Sequence, residues 1–82
     1  MPDEGFQLKA GPVLAWVQVA SYIEALINAG TLAPDARLPG ERALAEEYGV
    51  AVGTIRRALL ELQRHGRVIT VPSQGTFVVN PQ

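Results

Sequence analysis

A glycine between two short amphipathic segments is the feature that most constrains the fold of this chain. Gly49 separates the segment 40–48, in which Glu41 precedes Ala43, Leu44 and Ala45, from a second apolar-periodic segment over 52–65. Glycine adopts positive φ without the steric cost of a Cβ atom, so it can end one helix and let the chain leave in a new direction. The pattern predicts two helices joined by a tight turn.

A further helix is predicted before this pair. It begins near Pro12, because proline is tolerated at the first helical position, and it ends at Gly30. Apolar residues recur through it at three- and four-residue spacing, which places them on one stripe that faces a core. The residues of this stripe are Trp16, Val19, Ala20, Ile23, Leu26 and Ile27. Leu14 and Val17 project off it.

Two short strands are predicted after the pair. Residues 67–71 and 76–79 are rich in β-branched side chains, and the intervening Pro72-Ser73-Gln74-Gly75 is typical of a turn. Three helices followed by a two-stranded β-hairpin form an α+β fold, a small winged helix-turn-helix. The turn, about 72–76, is then the tip of the wing.

Length and composition bound the function classes. The chain has 82 residues, no cysteine and a formal net charge of −1, so we expect one domain over 12–79 with an aliphatic core, a flexible arm over 1–11 and a short tail over 80–82. No apolar run approaches the roughly 20 residues of a membrane span, and we expect a cytoplasmic protein. The glutamates of the second helix have no accompanying nucleophile, metal-ligand cluster or phosphate-binding loop, so we expect neither an enzyme nor a cofactor nor a metal.

Charge is distributed unevenly along the chain. Acidic residues dominate 1–50, whereas after residue 50 Glu61 stands alone against Arg56, Arg57, Arg64 and Arg67. On a helical wheel of 52–65, the side opposite the apolar residues is basic or small. The residues of this outer side and its flanks are Gly53, Thr54, Arg56, Arg57, Leu60 and Arg64. Such a helix can lie in a DNA major groove while a glycine-tipped hairpin touches the neighbouring backbone.

The chain resembles the DNA-binding domain of the GntR family of bacterial transcription regulators. The matching strings, in order, are Trp16-Val17-Gln18-Val19, Gly30-Thr31-Leu32-Ala33-Pro34-Asp35, Leu38-Pro39-Gly40-Glu41-Arg42, Thr54-Ile55-Arg56-Arg57-Ala58-Leu59 and Gly75-Thr76-Phe77-Val78. Each string is a weak signal alone, but their order and spacing together are specific and cover most of the chain.

The resemblance implies a sequence-specific transcription regulator that binds a double-stranded DNA operator. Its recognition helix, about 52–65, would enter the major groove, and its wing would contact the adjacent backbone or minor groove. The DNA-binding residues expected on this basis are Arg37, Arg42, Ala51, Gly53, Thr54, Arg56, Arg57, Gln74, Gly75 and Thr76.

This sequence departs from the family pattern in three ways. Ala51-Val52 stands where the family usually has Ser or Thr followed by Arg, and Gln74 stands where the wing often has Arg or Lys. These changes remove a helix cap, a hydroxyl group that could bond a phosphate, and two cations, so binding should be weaker per monomer. The family also appends a ligand-sensing, dimerising domain after the wing, which makes this chain either a fragment or a minimal regulator.

If the chain is complete, it has no evident pocket for a small-molecule effector, and a homodimer would form through the domain itself. Leu14, Val17 and Leu60 are candidate contacts, because each is apolar and lies off its helix's inward stripe. Single exposed aliphatic residues are also common on monomers. The alternative function is a winged helix used for protein contact, in which Ala51, Val52 and Gln74 mark the loss of DNA recognition.

Overall fold

The computed structural model describes residues 5–81 and confirms the α+β winged helix-turn-helix. Its elements, in chain order, are α1 (Ala15–Asn28), α2 (Glu41–Tyr48), α3 (Val52–Arg64), β1 (Val68–Val71) and β2 (Gly75–Val78). The strands form an antiparallel pair in which Val68 lies opposite Val78 and Val71 opposite Gly75. The order of elements therefore matches the sequence prediction, with shifts of a few residues at the boundaries.

A single apolar core fixes the three helices and the hairpin relative to one another. Helix α1 packs against α3, which also contacts α2 and β1. Each fully buried aliphatic side chain stabilises such a fold by about 1.5–3 kcal/mol relative to an exposed one. The buried residues of the core are Val19, Ile23, Leu38, Leu44, Ala45, Tyr48, Ile55, Ala58, Leu59, Leu62, Val68 and Val78. The inward stripe predicted for 52–65 is thus buried in full.

The turn between α2 and α3 has the predicted glycine geometry. Gly49 has φ of 67° and ψ of 36°, and its N–H donates to the carbonyl of Ala45. A Cβ atom at Gly49 would meet nothing within 4 Å, so the left-handed backbone, and not crowding, requires glycine here. Helix α3 then begins after Ala51, which has extended backbone and provides no side-chain cap.

One side chain holds the backbone of the segment before α1, which explains why α1 begins at Ala15 and not near Pro12. The Gln18 amide donates to the carbonyls of Lys9 and Val13, both at 2.9 Å, and its Oε1 accepts from the Lys9 N–H at 2.8 Å. The N–H of Lys9 and the carbonyls of Lys9 and Val13 thus have hydrogen-bond partners although they lie outside a helix.

The described part of the predicted arm contacts the domain body. The ring of Phe6 lies 5.0 Å from that of Tyr48 and 5.5 Å from that of Tyr22, centroid to centroid, and the two tyrosine rings are 5.6 Å apart. Such pairs are attractive beyond the area they bury. Residues 1–4 and 82 lie outside the described residues, and the domain boundary at residue 12 stays a prediction.

The segment 36–38, which follows the left-handed Asp35, lies beside β2. In residues 35–38, the N–H of Asp35 donates to the carbonyl of Val78 at 2.9 Å, and the N–H of Leu38 donates to that of Thr76 at 2.8 Å. The N–H of Val78 donates in return to Ala36, and Arg37 forms a bridge with Phe77. The second half of the connection between α1 and α2 is therefore fastened to the wing.

The missing cap of α3 generates a stability prediction. Ala51→Ser should raise the free energy of unfolding by about 0.5–2 kcal/mol, because a hydroxyl group at this position accepts a hydrogen bond from an N–H in the first turn. Urea denaturation followed by circular dichroism measures the change. The same substitution at the exposed Ala43, inside α2, is the control and should lower the free energy of unfolding by about 0.5 kcal/mol. Equal shifts in both variants would contradict the capping argument.

The aromatic contacts of the arm generate a second stability prediction. Phe6→Ala should lower the free energy of unfolding by about 1–2 kcal/mol, because the ring loses two aromatic neighbours. Leu8, which is 49% exposed, is the matched control. Leu8→Ala should change the free energy of unfolding by less than about 0.5 kcal/mol. A Phe6→Ala protein as stable as the parent in thermal melts would show that the arm is not anchored.

Candidate nucleic-acid interface

The outer face of α3 carries arginines in open solvent, as the helical wheel predicts. The side chain of Arg56 is 67% exposed and that of Arg57 is 52% exposed. Both point away from the core because Ile55, Ala58 and Leu59 occupy the buried side of the helix. Gly53 is exposed in the first turn, with nothing within 4 Å of a Cβ built on it, so a ligand can approach the backbone closely.

An ion pair ties this face to α2. The Nε of Arg56 donates to Oε1 of Glu41 at 2.8 Å, across the two helices of the helix-turn-helix. Within residues 5–81, the terminal nitrogens of the Arg56 guanidinium have no protein partner. Glu41 therefore orients Arg56 and leaves the forked end of the guanidinium free to bind a ligand.

The two helices enclose an open cleft beside this pair. Its walls include Arg42 from α2, Ala51 and Val52 from the start of α3, and Arg56. The structure thus brings Arg42, from α2, and Ala51 and Arg56, from the start of α3, around one concave surface. Arg42 is exposed and forms no ion pair within residues 5–81.

Arg57 has a different environment from Arg56. Its Cζ lies 4.5 Å from the centroid of the Trp16 ring, and its Nε lies 3.6 Å from Oε1 of Glu61. A cation over an aromatic face is worth about 0.5–1 kcal/mol at an exposed site. Arg57 is thus partly engaged by the domain body, although half of its side chain is exposed. The α3 sequence alone could not indicate this contact, because Trp16 belongs to α1.

The other two arginines of the carboxyl-terminal third are also paired. Arg64 lies 3.2 Å from Glu61, and Arg67 lies 3.1 Å from Glu24 of α1. The local basic excess predicted after residue 50 is therefore partly neutralised in the folded domain. Arg37 and Arg42 lie before residue 50, and within residues 5–81 neither has a carboxylate partner.

The wing tip presents small and polar groups. Gln74 is exposed at the turn, and Gly75 has φ of 122°, a conformation that favours glycine. A Cβ atom at Gly75 would lie 2.8 Å from Nε of Arg37. The hydroxyl group of Thr76 lies 3.0 Å from that of Thr70 on the facing strand, and the two form a hydrogen bond across the hairpin. The proximity of Arg37 to the wing tip depends on tertiary contacts and gives no sequence signal.

The three residues predicted to support self-association differ in exposure. Leu14 is 62% exposed and Leu60 is 46% exposed, while Val17 is half-buried. A homodimer through these residues stays a prediction. Elsewhere in residues 5–81, no group of His, Asp and Glu side chains could hold a metal ion, and no helix is long and apolar enough to cross a membrane.

Comparison with known proteins agrees with this geometry. Residues 16–78 match the family described as bacterial regulatory proteins, gntR family. The chain is 35% identical over 74 residues to the HTH-type transcriptional repressor NagR of Bacillus subtilis, covering 90% of this chain and 30% of NagR. It is 36% identical over 76 residues to a histidine utilization repressor of Pseudomonas putida, covering 93% of this chain and 31% of that repressor. The chain thus spans about a third of these relatives.

Solved structures show the same fold. The DNA-binding domain of AraR in complex with operator ORX1 superimposes with a TM-score of 0.85 at 32% identity, covering 94% of this chain and all of that one. A GntR family transcriptional regulator from Listeria monocytogenes superimposes with a TM-score of 0.82 at 28% identity, covering 87% of this chain and 62% of the regulator. The helices, the turn and the hairpin that the sequence predicts are those of this group of proteins. The chain belongs to the GntR family of bacterial regulatory proteins.

Proposed function

We propose that this domain binds operator DNA for a bacterial transcription regulator, with α3 in the major groove and the wing on the adjacent backbone or minor groove. The observation that carries the proposal is the cleft in which Arg42, Ala51 and Arg56 converge on the exposed start of α3. The AraR domain that shares this fold is in complex with its operator, which supports the same use of the surface here.

Each side chain of the cleft has a distinct role in this proposal. Arg56 lies one turn into α3, where a guanidinium can reach base edges, and a fork onto guanine O6 and N7 gives about 1–3 kcal/mol of discrimination. Arg42 on α2 is placed to hold a phosphate. Thr54, Gly53 and the N–H groups at the uncapped start of α3 complete the contact, because helix N-termini bind anions well.

Affinity per domain should be modest. Val52 supplies no cation at the start of α3, and four of the arginines form ion pairs with carboxylates of the domain. Specific binding therefore depends on pairing two domains on one operator, which favours a palindromic site with half-sites about 34–36 Å apart or closer. Leu14, Val17 and Leu60 remain the proposed contacts of such a pair, and a regulator of this kind acts in the bacterial cytoplasm.

The proposal predicts a specific effect of two arginine substitutions. An operator is first selected with the parent protein from a random duplex pool, and affinities are then measured by electrophoretic mobility at several salt concentrations. Arg56→Ala should weaken operator binding by about 1–3 kcal/mol and relax base preference. Arg42→Ala should weaken binding to all duplexes and reduce the slope of log affinity against log salt by about 1.

Arg64→Ala is the matched control, because Arg64 is as exposed as Arg56 but lies at the far end of α3. It should leave base preference unchanged and alter affinity less than the other two variants. If the parent protein binds no duplex even at low salt, or if all three variants bind alike, the winged-helix protein-contact alternative is favoured.

Glu41 gives a prediction of opposite sign. Glu41→Gln should bind generic duplex more tightly at low salt, because it removes a negative charge from the surface that faces the phosphates but keeps an acceptor for Arg56. Glu41→Ala, which also removes that acceptor, should in addition relax the base preference contributed by Arg56. Fluorescence anisotropy with a labelled generic duplex measures the first effect. Generic binding that Glu41→Gln leaves unchanged would place Glu41 away from the DNA.

A further inference from the structure

The wing has no charged residue of its own. Residues 68–78 contain neither lysine nor arginine, and Gln74 occupies the tip. Arg67, immediately before β1, pairs with Glu24 of α1. Contacts with the DNA backbone derive most of their strength from cations that displace counterions. A wing built only from these residues would add little to DNA affinity.

Backbone pairing brings a cation to the wing from elsewhere in the chain. Arg37 lies in the segment 36–38, between the two hydrogen bonds that join Ala36 to Val78 and Leu38 to Thr76. It forms an antiparallel bridge with Phe77. Opposite residues in an antiparallel pair share a face, and so do residues two apart along a strand. The side chains of Arg37 and Phe77 therefore lie on the face toward which position 75 also points.

The guanidinium of Arg37 reaches the tip of the wing. A Cβ atom built on Gly75 would lie 2.8 Å from Nε, 3.4 Å from Nη2 and 3.5 Å from Cζ of Arg37. The absence of a side chain at Gly75 thus makes room for this group, in addition to permitting φ of 122°. Arg37 is exposed and has no carboxylate partner within residues 5–81. Its charge is available to an external anion.

We propose that Arg37 supplies the cation of the wing, in place of the basic residue that Gln74 lacks, and binds a phosphate of the DNA backbone beside the hairpin. This inference rests on the proposed DNA-binding function. It makes position 37 part of the wing contact although two helices, α2 and α3, separate it from the hairpin along the chain. A purely structural role, in which Arg37 only braces Gly75, is the competing explanation.

The test moves the charge between the two positions. Arg37→Gln should reduce the slope of log affinity against log salt by about 1, so that between 50 and 200 mM salt the affinity of the parent falls by a factor roughly fourfold larger than that of the variant. Arg37→Lys should keep the parent slope. Adding Gln74→Arg to Arg37→Gln should restore it, because a cation then returns to the wing tip. Arg64→Gln, which removes an arginine from the end of α3, is the control and should change the slope little. Thermal melts of all variants check that the domain remains folded.

The binding experiments use the whole chain and a generic duplex. An Arg37→Gln protein with the parent slope would overturn the inference while leaving the proposed function intact. A loss that neither Arg37→Lys nor Gln74→Arg recovers would overturn it too, because shape and not charge would then explain the effect. A parent protein that binds no duplex at any salt concentration would overturn both proposals.

Discussion

The packing of α1 against α3 is the contact on which the rest of the structure depends. Val19 and Ile23 of α1 and Ile55 and Leu62 of α3 are fully or almost fully buried. Burying one side of α3 in this way fixes the direction of its other side, because successive residues of a helix are separated by a constant angle. The exposure of Arg56 is therefore a consequence of apolar burial, and no polar contact is needed to produce it.

Ion pairs then decide which cations of this nearly neutral domain are available. Arg56, Arg57, Arg64 and Arg67 each lie within 4.0 Å of a carboxylate. Exposed pairs of this kind contribute little to stability, about 0–1 kcal/mol, but they orient long side chains and lower the local positive potential. A domain of this charge relies on a few well-placed arginines more than on a general basic surface.

Local patterns were sufficient to predict the elements of the fold. The apolar stripes of α1 and α3, the left-handed Gly49 and the β-branched strands each follow from a few neighbouring residues. The contacts that refine the interface could not be predicted in this way. The contact of Arg57 with the Trp16 ring and the ion pair of Arg56 with Glu41 each join two helices, so they depend on how the helices pack.

The amino-terminal arm and the connection show the same limit. Phe6 lies in a segment without apolar periodicity, so the local sequence does not predict its contact with Tyr48. Residues 35–38 lie between Pro34 and Pro39, so their sequence is typical of a connection. Their backbone nevertheless forms hydrogen bonds with β2. Pairing with a distant strand depends on tertiary contacts, which local propensity does not contain.

We infer that DNA is bound by the start of α3 together with the wing. Backbone amide NMR spectra recorded while a short duplex is added test it directly, because each amide reports its own environment. We expect the largest shifts in residues 51–57 and 74–76, with small shifts in the second half of α1. Shifts concentrated in the second half of α1, or spectra unchanged by DNA, would contradict it.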